Sequence, residues 1–435
     1  MCLPRAAAVD FEGAVKPVLT ANISGGLGST GLSQVYVAWT TDGLTMVYTA
    51  SSASSTVKWY RFSNTGTAYA EEMTPTRSGA RLTLAAEPDM GYMIEEGSGR
   101  TCFWLADYSR HQLDLRSLTI APEQGCDAAV LNFDGEADGI PFYTVTGRRL
   151  TIPRELELHY RNAEFDSSSF SFSTTDAVET LASAGQTINV PQVYAATQFE
   201  LCGDAYLRRW NEPEQSVVTD TYTPYGVVAY TRATQTEREI DNEQTEEAVD
   251  GLGGSAPCEV TFEAAVSESA IFTEWQISRS PDFSIVENSY SELTFTYTFT
   301  DQGTTYVRFV ANNAEGTCEY VGDTYEVFIG ESKLLIPNAF SPEASPGIND
   351  EWKVSYKSIV SYECHIFNRW GTLLFSSTNP AEGWDGKYKG KYVPAGVYFY
   401  VIKARGADGV DYDKAGDINI IKYRQGSAGT TAPAE

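Results

Sequence analysis

The chain has 435 residues, 42% apolar and 12% aromatic, which is long enough for about two to four globular domains. Its formal net charge of −27 argues against nucleic acid and anionic membrane surfaces as partners, because both are polyanions. No stretch of about 18 apolar residues occurs, so we expect no direct membrane span.

The charge is divided unevenly along the chain. Residues 331–435 hold 12 basic and 12 acidic residues, whereas the first 330 residues hold 19 basic and 46 acidic ones. The neutral C-terminal segment is therefore predicted to be a separate module with a different surface.

Residues 1–15 are predicted to be a flexible N-terminus. The segment PRAAAV contains an Ala-x-Ala pattern like that of a signal-peptide cleavage site. The sequence does not decide whether residues 1–8 are the remnant of a signal peptide.

Residues 16–121 are predicted to form an immunoglobulin-like β-sandwich. Short apolar or alternating segments such as VKWYRF are bounded by Gly, Ser, Asn, Asp or Pro, as strands of a sandwich are. Trp59 lies mid-strand, where strand C carries its core Trp. Tyr92 follows Asp-x-Gly, as the tyrosine corner at the start of strand F does.

Residues 122–236 are predicted to be a second, less regular β-domain, whose last strand lies in YGVVAYTRAT. Residues 237–257 carry seven acids and one Arg, followed by Gly, Ser and Pro. This composition predicts a solvated linker.

Residues 258–331 contain five further strand segments at regular spacing, with Trp275 at the core position of strand C. The stretch TFTDQGTTYVRFVANNAEG resembles the polycystic-kidney-disease (PKD) type of immunoglobulin-like domain. The Trp-x-Phe-Gly-Asp-Gly motif of that family does not occur here.

The C-terminal segment, residues 332–424, carries six ordered motifs between IPNAFSP and a closing Gly-x-Ile. The candidate sorting and partner-binding residues within them are Pro337, Asn338, Phe340, Asn368, Arg369, Trp370, Gly371, Trp384, Asp385, Gly386, Pro394, Gly396, Tyr398, Phe399 and Tyr400. This pattern strongly resembles the gliding-motility-associated C-terminal domain, the type B sorting domain of the type IX secretion system of Bacteroidota.

Two features depart from that family. Residues 343–347 replace its usual Asn-Gly-Asp-Gly loop, and the chain continues past the last expected strand as a tail, residues 425–435, predicted to be flexible.

The resemblance implies a small β-sandwich that directs the chain out of the cell. After Sec export, the type IX translocon would carry the protein to the extracellular face of the outer membrane. A PorP/SprF-like outer-membrane protein would hold it there. The domain layout also resembles that of PorA-like surface proteins, which are linked to sensing the state of the secretion system.

The strand VYFYVIKA is apolar on both faces. Val397, Phe399 and Val401 lie on one face, and Tyr398 and the residues two and four positions after it lie on the other. Such a strand packs against something on each side, so we expect one face in the core and the other against a partner. Arg369, Trp370, Trp384 and Asp385 are expected to be mainly framework residues.

The seven cysteines contain no CxxC pair, which argues against a zinc or thioredoxin-like site. The spacings Cys126–Cys202 and Cys258–Cys318 would each suit a bridge inside one sandwich, but spacing does not fix connectivity.

No other motif has the context that its chemistry requires. DGEADG offers Asp134, Glu136 and Asp138 to a calcium ion, but Val145 stands where the bidentate Glu belongs, so an acidic turn is favoured. Cys364 and His365 are neighbours on a strand and point to opposite faces, which is poor geometry for a nucleophile and its base. GLGSTG precedes a strand instead of a helix, so no cofactor is expected.

The sequence therefore predicts an all-β, tandem-sandwich, non-enzymatic surface protein. Two alternatives stay open. One is an adhesin or glycan-binding protein that uses the N-terminal β-domains, and the other is a hydrolase hidden in residues 1–235.

Overall fold

The computed structural model describes residues 9–244, 251–342 and 349–421. It confirms the all-β prediction, with a single short α-helix in the described part of the chain. The chain divides into two compact units: Met1–Asp166 with Phe172–Gly226, and Ser167–Ser171 with Val227–Glu435. The expectations for residues 1–8, 343–347 and 425–435 lie outside the described residues. Within those residues, no helix has the length and apolar character that a membrane span requires.

The first part of unit 1 is a two-sheet sandwich. Its strands are β1 (Asp10–Glu12), β2 (Leu19–Thr20), β3 (Gln34–Ala38), β4 (Thr45–Thr49), β5 (Val57–Phe62), β6 (Glu71–Met73), β7 (Thr76–Ser78), β8 (Arg81–Ala85), β9 (Met90–Glu96) and β10 (Gly99–Asp107). The sheet orders are β1-β4-β8-β7 and β2-β3-β10-β9-β5-β6. Trp59 is fully buried between the sheets, and the Tyr92 hydroxyl accepts a hydrogen bond from the backbone N–H of Glu87, as in a tyrosine corner.

Residues 9–15, the described part of the N-terminus that was expected to be flexible, include a paired strand. β1 pairs with β4, and the ring of Phe11 packs edge-on against that of Tyr36 at 5.0 Å. Burial of Val9 and this aromatic contact offset the entropy lost on ordering the segment.

The second part of unit 1 holds nine more strands and the helix. They are β11 (Asp114–Ile120), β12 (Ala128–Glu136), β13 (Ile140–Tyr143), β14 (Arg149–Ile152), β15 (Leu156–Asp166), β16 (Ser171–Leu181), β17 (Thr187–Pro191), β18 (Glu200–Gly203), α1 (Ala205–Trp210) and β19 (Gln215–Val218). Asp204 caps α1 by accepting a hydrogen bond from the N–H of Leu207, and its other oxygen pairs with Arg154 in a buried ion pair.

The six-stranded sheet of unit 1 is buried on both faces. Phe103 and Leu105 of β10 point into the first sandwich, while Trp104 of the same strand packs in a cluster with Leu131 and Phe142 of the second part. The two halves of unit 1 therefore share apolar packing instead of meeting at a polar linker.

Unit 2 begins with a third sandwich, built from β20 (Ala229–Gln235), β21 (Gly253–Gly254), β22 (Cys258–Val266), β23 (Phe272–Ser278), β24 (Asn288–Tyr290), β25 (Thr294–Phe299), β26 (Gly303–Asn312), β27 (Glu319–Val321) and β28 (Tyr325–Ile329). Trp275 is fully buried, as predicted, against Phe262 and Phe309. β20 pairs with β22, so residues 229–235 belong to this sandwich and not to the preceding β-domain.

The predicted solvated linker, residues 237–257, is in fact partly packed. β21 pairs in parallel with β28, and Ala256 is fully buried in the core of the third sandwich. The Asn242 side chain donates hydrogen bonds to the carbonyls of Val354 and Pro380. The acidic composition did not predict these contacts, because they depend on backbone pairing and on the side-chain amide of Asn242.

The C-terminal module contains β29 (Lys333–Leu335), β30 (Ala339–Phe340), β31 (Ser355–Lys357), β32 (Ile359–Phe367), β33 (Leu373–Ser377), β34 (Lys387–Tyr388), β35 (Lys391–Tyr392), β36 (Gly396–Gly406) and β37 (Asp411–Ile420). Its main sheet has the order β30-β37-β36-β32-β33. Trp352, Trp384, Ile366 and Ile402 pack on one face of this sheet and form the core of the module.

Neither of the two cysteine pairs considered from spacing is formed. Cys126 and Cys318 are each disulfide-bonded, whereas Cys202 and Cys258 are free thiols. Spacing along the chain does not determine whether two cysteines are close enough to form a disulfide. The folded backbone determines that distance. Disulfides are consistent with an oxidising, extracytoplasmic location.

Candidate partner-binding surface

Most of the motif residues build the frame of the C-terminal module. Phe340, Trp384 and Tyr398 are buried and form a chain of aromatic contacts, with ring centroids 5.6 and 5.3 Å apart. The Trp384 indole N–H donates to the carbonyl of Lys387 at 3.0 Å. Their apolar area and satisfied polar atoms give these residues a structural role.

Other motif residues act through backbone groups. The carbonyl of Pro337 accepts the indole N–H of Trp352 at 2.7 Å, and that of Asn338 accepts the backbone N–H of Asn419 at 2.9 Å. The carbonyl of Pro394 accepts the hydroxyl of Tyr398 at 2.8 Å. These contacts tie the loops to the sheet.

Two further motif positions are turn devices. Burial opposes ionisation of Asp385, but hydrogen bonds from Lys387 prevail and lower the pKa of the Asp385 carboxyl. Gly386, with φ of 74°, follows in the left-handed region. Asp385 therefore shapes this turn through its contacts with Lys387.

Tyr400 lies opposite Gly416 on the adjacent strand, and its side chain occupies the space beside that glycine. Its ring packs against Trp352 at 5.4 Å, and a Cβ on Gly416 would lie 2.6 Å from the Tyr400 hydroxyl oxygen and 2.8 Å from its Cζ. A side chain at Gly416 would displace the Tyr400 ring, so this position accepts only glycine without rearrangement.

The hairpin tip between β32 and β33 departs from the framework expectation. Trp370 is 74% exposed and Arg369 is exposed as well. The Arg369 guanidinium lies over the Trp370 ring, 4.3 Å from its centroid. The Asn368 side chain accepts hydrogen bonds from the N–H groups of Trp370 and Thr372, and Gly371 adopts φ of 78°. The tip is therefore a rigid turn that presents an indole to solvent.

One face of the aromatic strand β36 lies in the core, and the expectation that the other face contacts a partner stays a prediction. In β36, Tyr398 and Ile402 face the core, whereas Val397 and Phe399 are 49% and 43% exposed. Phe367 lies directly opposite Phe399, and Leu373 lies opposite Phe367. Cross-strand neighbours on one face lie within contact distance of each other.

We call this set the outer apolar patch: Phe367, Trp370, Leu373, Val397 and Phe399. Phe367 and Leu373 were missed by motif reasoning because they lie outside the motif. The signal was available, since they flank the NRWG turn at positions that the hairpin register places beside Phe399.

Beyond the patch, the same face carries Val401, opposite His365, and otherwise mainly polar side chains. Lys403 lies between Glu363 and Asp413 in register. His365 bonds Glu363 through Nε2 at 2.9 Å and Ser376 through Nδ1 at 3.0 Å. Cys364 is buried on the opposite face, so the expected poor geometry for a Cys–His pair is confirmed.

A separate polar cleft of about 1330 Å³ lies in unit 1. Asp134, Glu136 and Asp138 line it, but the Asp134 carboxylate pairs with Arg116 at 2.7 Å. Among the described residues, no group of three or more metal-ligating side chains is close enough to hold an ion. The calcium reading is therefore not supported, because a cation would have to displace the Arg116 guanidinium.

The fold and the motif set thus define a tandem β-sandwich protein that ends in a sorting module. Residues 334–420 match the CHU_C Type IX secretion signal domain, and residues 119–219 match the Fibronectin type III domain. The C-terminal resemblance stated from motifs is confirmed. The PKD-type and PorA-like resemblances stay predictions.

The chain therefore carries a type IX secretion signal, which implies secretion to the cell surface. Neither matched family is catalytic. No curated protein sequence matches the chain.

Three similar solved structures each match more than two thirds of this chain. The tetra-tandem repeat of a large adhesion protein's extending region is 9% identical, with 88% of this chain and 96% of that chain covered and a TM-score of 0.19. The chicken CNTN1 FN1-FN3 domains are 11% identical, covering 71% and 99%, at a TM-score of 0.25. Dimeric latent PorU from Porphyromonas gingivalis is 12% identical, covering 74% and 35%, at 0.15.

Proposed function

We propose that the outer apolar patch anchors this secreted protein at the cell surface by binding an outer-membrane protein of the PorP/SprF class. The observation that carries the proposal is the contrast within one motif set. Trp384, Phe340 and Tyr398 are buried, whereas Trp370, Leu373, Val397 and Phe399 are exposed to solvent. Exposed apolar patches of this kind are typical of binding surfaces.

Trp370 has the properties of a binding hot spot. Trp and Arg are enriched among the residues that dominate interface energetics, and both stand at this tip. The turn is already held by Asn368, so little conformational entropy is lost when the indole enters a partner.

The charge distribution supports the same orientation. The C-terminal segment is neutral and the remainder of the chain carries the whole net charge of −27. A neutral module approaches the anionic bacterial surface with less repulsion than the acidic domains do. The protein would then act at the cell surface as a component or sensor of the secretion system or envelope, with the type IX translocon as the transient partner.

The experiment compares surface anchoring of the full chain with that of Trp370→Ala and Phe399→Ser. The matched control is Tyr69→Ala, because Tyr69 is 77% exposed in the first sandwich, outside the patch. We expect the patch variants to be secreted but released into the medium, while the control stays on the cells. Deletion of residues 332–435 should instead leave the protein in the periplasm. Retention of both patch variants on the cells would refute the anchoring role.

Adhesion or glycan binding by the N-terminal domains is the second candidate, and the polar cleft of unit 1 is the observation that favours it. Arg110, Arg149 and Glu136 line this cleft and offer charged hydrogen-bonding groups. A glycan array probed with the full chain tests it, and the variant R149A, which changes the cleft, should bind less glycan than the unmodified chain. The role proposed here is non-enzymatic, and turnover of any ester, peptide or glycoside by the purified chain would contradict it.

A further inference from the structure

The outermost strand next to the patch has an open edge. β33 pairs with β32 alone within the described residues. Its sequence, LLFSS, has neither a charged residue nor a proline. Natural sheets usually protect such edges with Lys, Pro, bulges or covering segments. A register irregularity occurs only near the hairpin, and the opposite edge of the same sheet, β30, is two residues long.

The direction of the free backbone groups follows from the hairpin. The Asn368 N–H donates to the Thr372 carbonyl, so the backbone groups of Asn368 point toward β33. Backbone direction alternates along a strand, so every second residue of β32 before Asn368 also points its backbone groups toward β33. His365 is not one of these residues, so its backbone groups point away from β33, and it lies opposite Ser376. The N–H and C=O of Ser376 therefore point away from the sheet, toward the open edge.

The free edge and the outer apolar patch are continuous. Leu373 begins β33 and belongs to the patch, and Phe367 lies opposite it. Arg369, at the adjoining tip, makes no ion pair within the described part of the chain, so its charge is available to an anionic group. Backbone, apolar and cationic groups thus converge on one end of the module.

We propose that the outer-membrane partner contributes an extended β-strand that adds to β33. Its alternate apolar side chains would cover the outer apolar patch, and an Asp or Glu would meet Arg369. Strand addition supplies main-chain hydrogen bonds for affinity, and the patch supplies side-chain specificity. This inference rests on the proposed function, since it specifies how that partner binds.

The test uses Ser376→Pro in the full chain, with Ser376→Ala as the matched control. Proline removes the outward N–H and is tolerated on an edge strand where that N–H faces solvent. Alanine keeps the N–H and removes only the hydroxyl that bonds His365. The probe is the purified, detergent-solubilised PorP/SprF-class protein of the same bacterium. We expect Ser376→Pro to weaken the Kd about tenfold, or about 1.4 kcal/mol, and Ser376→Ala to change it less than about twofold.

The outcomes separate the two proposals. Failure of the unmodified chain to bind refutes the proposed function. Binding that is lost in Trp370→Ala but equal in the Pro and Ala variants overturns strand addition and leaves the patch as the site. If Ser376→Pro does not fold, amide exchange over residues 373–377 of the unmodified chain decides, since strand addition must slow it in the complex. A dimer of this chain that the Pro variant abolishes would identify a second copy as the occupant and overturn the inference.

Discussion

Replacing Trp384 by Ala should destabilise unit 2 strongly. The side chain is 1% exposed and packs between the rings of Phe340 and Tyr398. Truncation of a buried Trp leaves a cavity and costs about 3–5 kcal/mol. The lost hydrogen bond to the Lys387 carbonyl falls within this range, because a net hydrogen bond contributes about 1 kcal/mol.

Trp370→Ala is the matched control, since it removes the same atoms from the same motif set. Its ring is 74% exposed and contacts Arg369, so truncation should cost less than about 1 kcal/mol. The structure therefore predicts a difference of several kcal/mol between two tryptophans that the sequence treats alike.

Differential scanning calorimetry of the full chain measures this difference. Unit 2 is roughly 200 residues long, and about 1 kcal/mol shifts the Tm of such a domain by about 2–4 °C. Trp384→Ala should therefore lower the Tm of unit 2 by about 10 °C, and Trp370→Ala should leave it near its original value. Equal shifts for the two variants would refute the assignment of frame and surface.

Three further predictions concern unit 1. Tyr92→Phe removes the hydroxyl that accepts the Glu87 N–H at 2.7 Å, and leaving that donor unpaired should cost about 1–3 kcal/mol in urea unfolding; no change in the midpoint would contradict the tyrosine corner. Hydrogen bonds from Ser51, then Tyr48, lower the pKa of Glu96 from 4.5 to about 2. A lowered folded-state pKa means stability that is present above pH 4.5 and lost as the pH falls toward 2, so a Glu96→Gln variant should show a shallower acid loss in a pH series of thermal melts. Arg154→Ala leaves the Asp204 carboxylate buried without its cation and should cost about 3–5 kcal/mol by urea unfolding, whereas a change below 1 kcal/mol would show that the pair is not needed.

Local patterns in the sequence predicted much of the fold. Alternation and turn residues predicted strands, and Trp59, Tyr92 and Trp275 were placed correctly because each occupies a recurrent position in a sandwich. The C-terminal motifs identified the sorting module, since six ordered motifs rarely coincide by chance. The two faces of β36 followed from the two-residue period of a strand.

Tertiary structure decided what depends on residues far apart in the chain. The packing of Trp104 against Tyr143 joined two predicted domains, and pairing of β20 with β22 moved a strand into the third sandwich. The disulfide-bonded state of Cys126 likewise required the folded backbone.

The candidate site shows the same division. The sequence by itself determined that Trp370 and Trp384 belong to one sorting motif, but their local patterns are equally aromatic and rich in glycine. Only the fold decided that Trp384 is enclosed by Phe340 and Tyr398 while Trp370 stands on a hairpin tip in solvent. Burial depends on which segments converge around a side chain, and local sequence does not encode that convergence residue by residue.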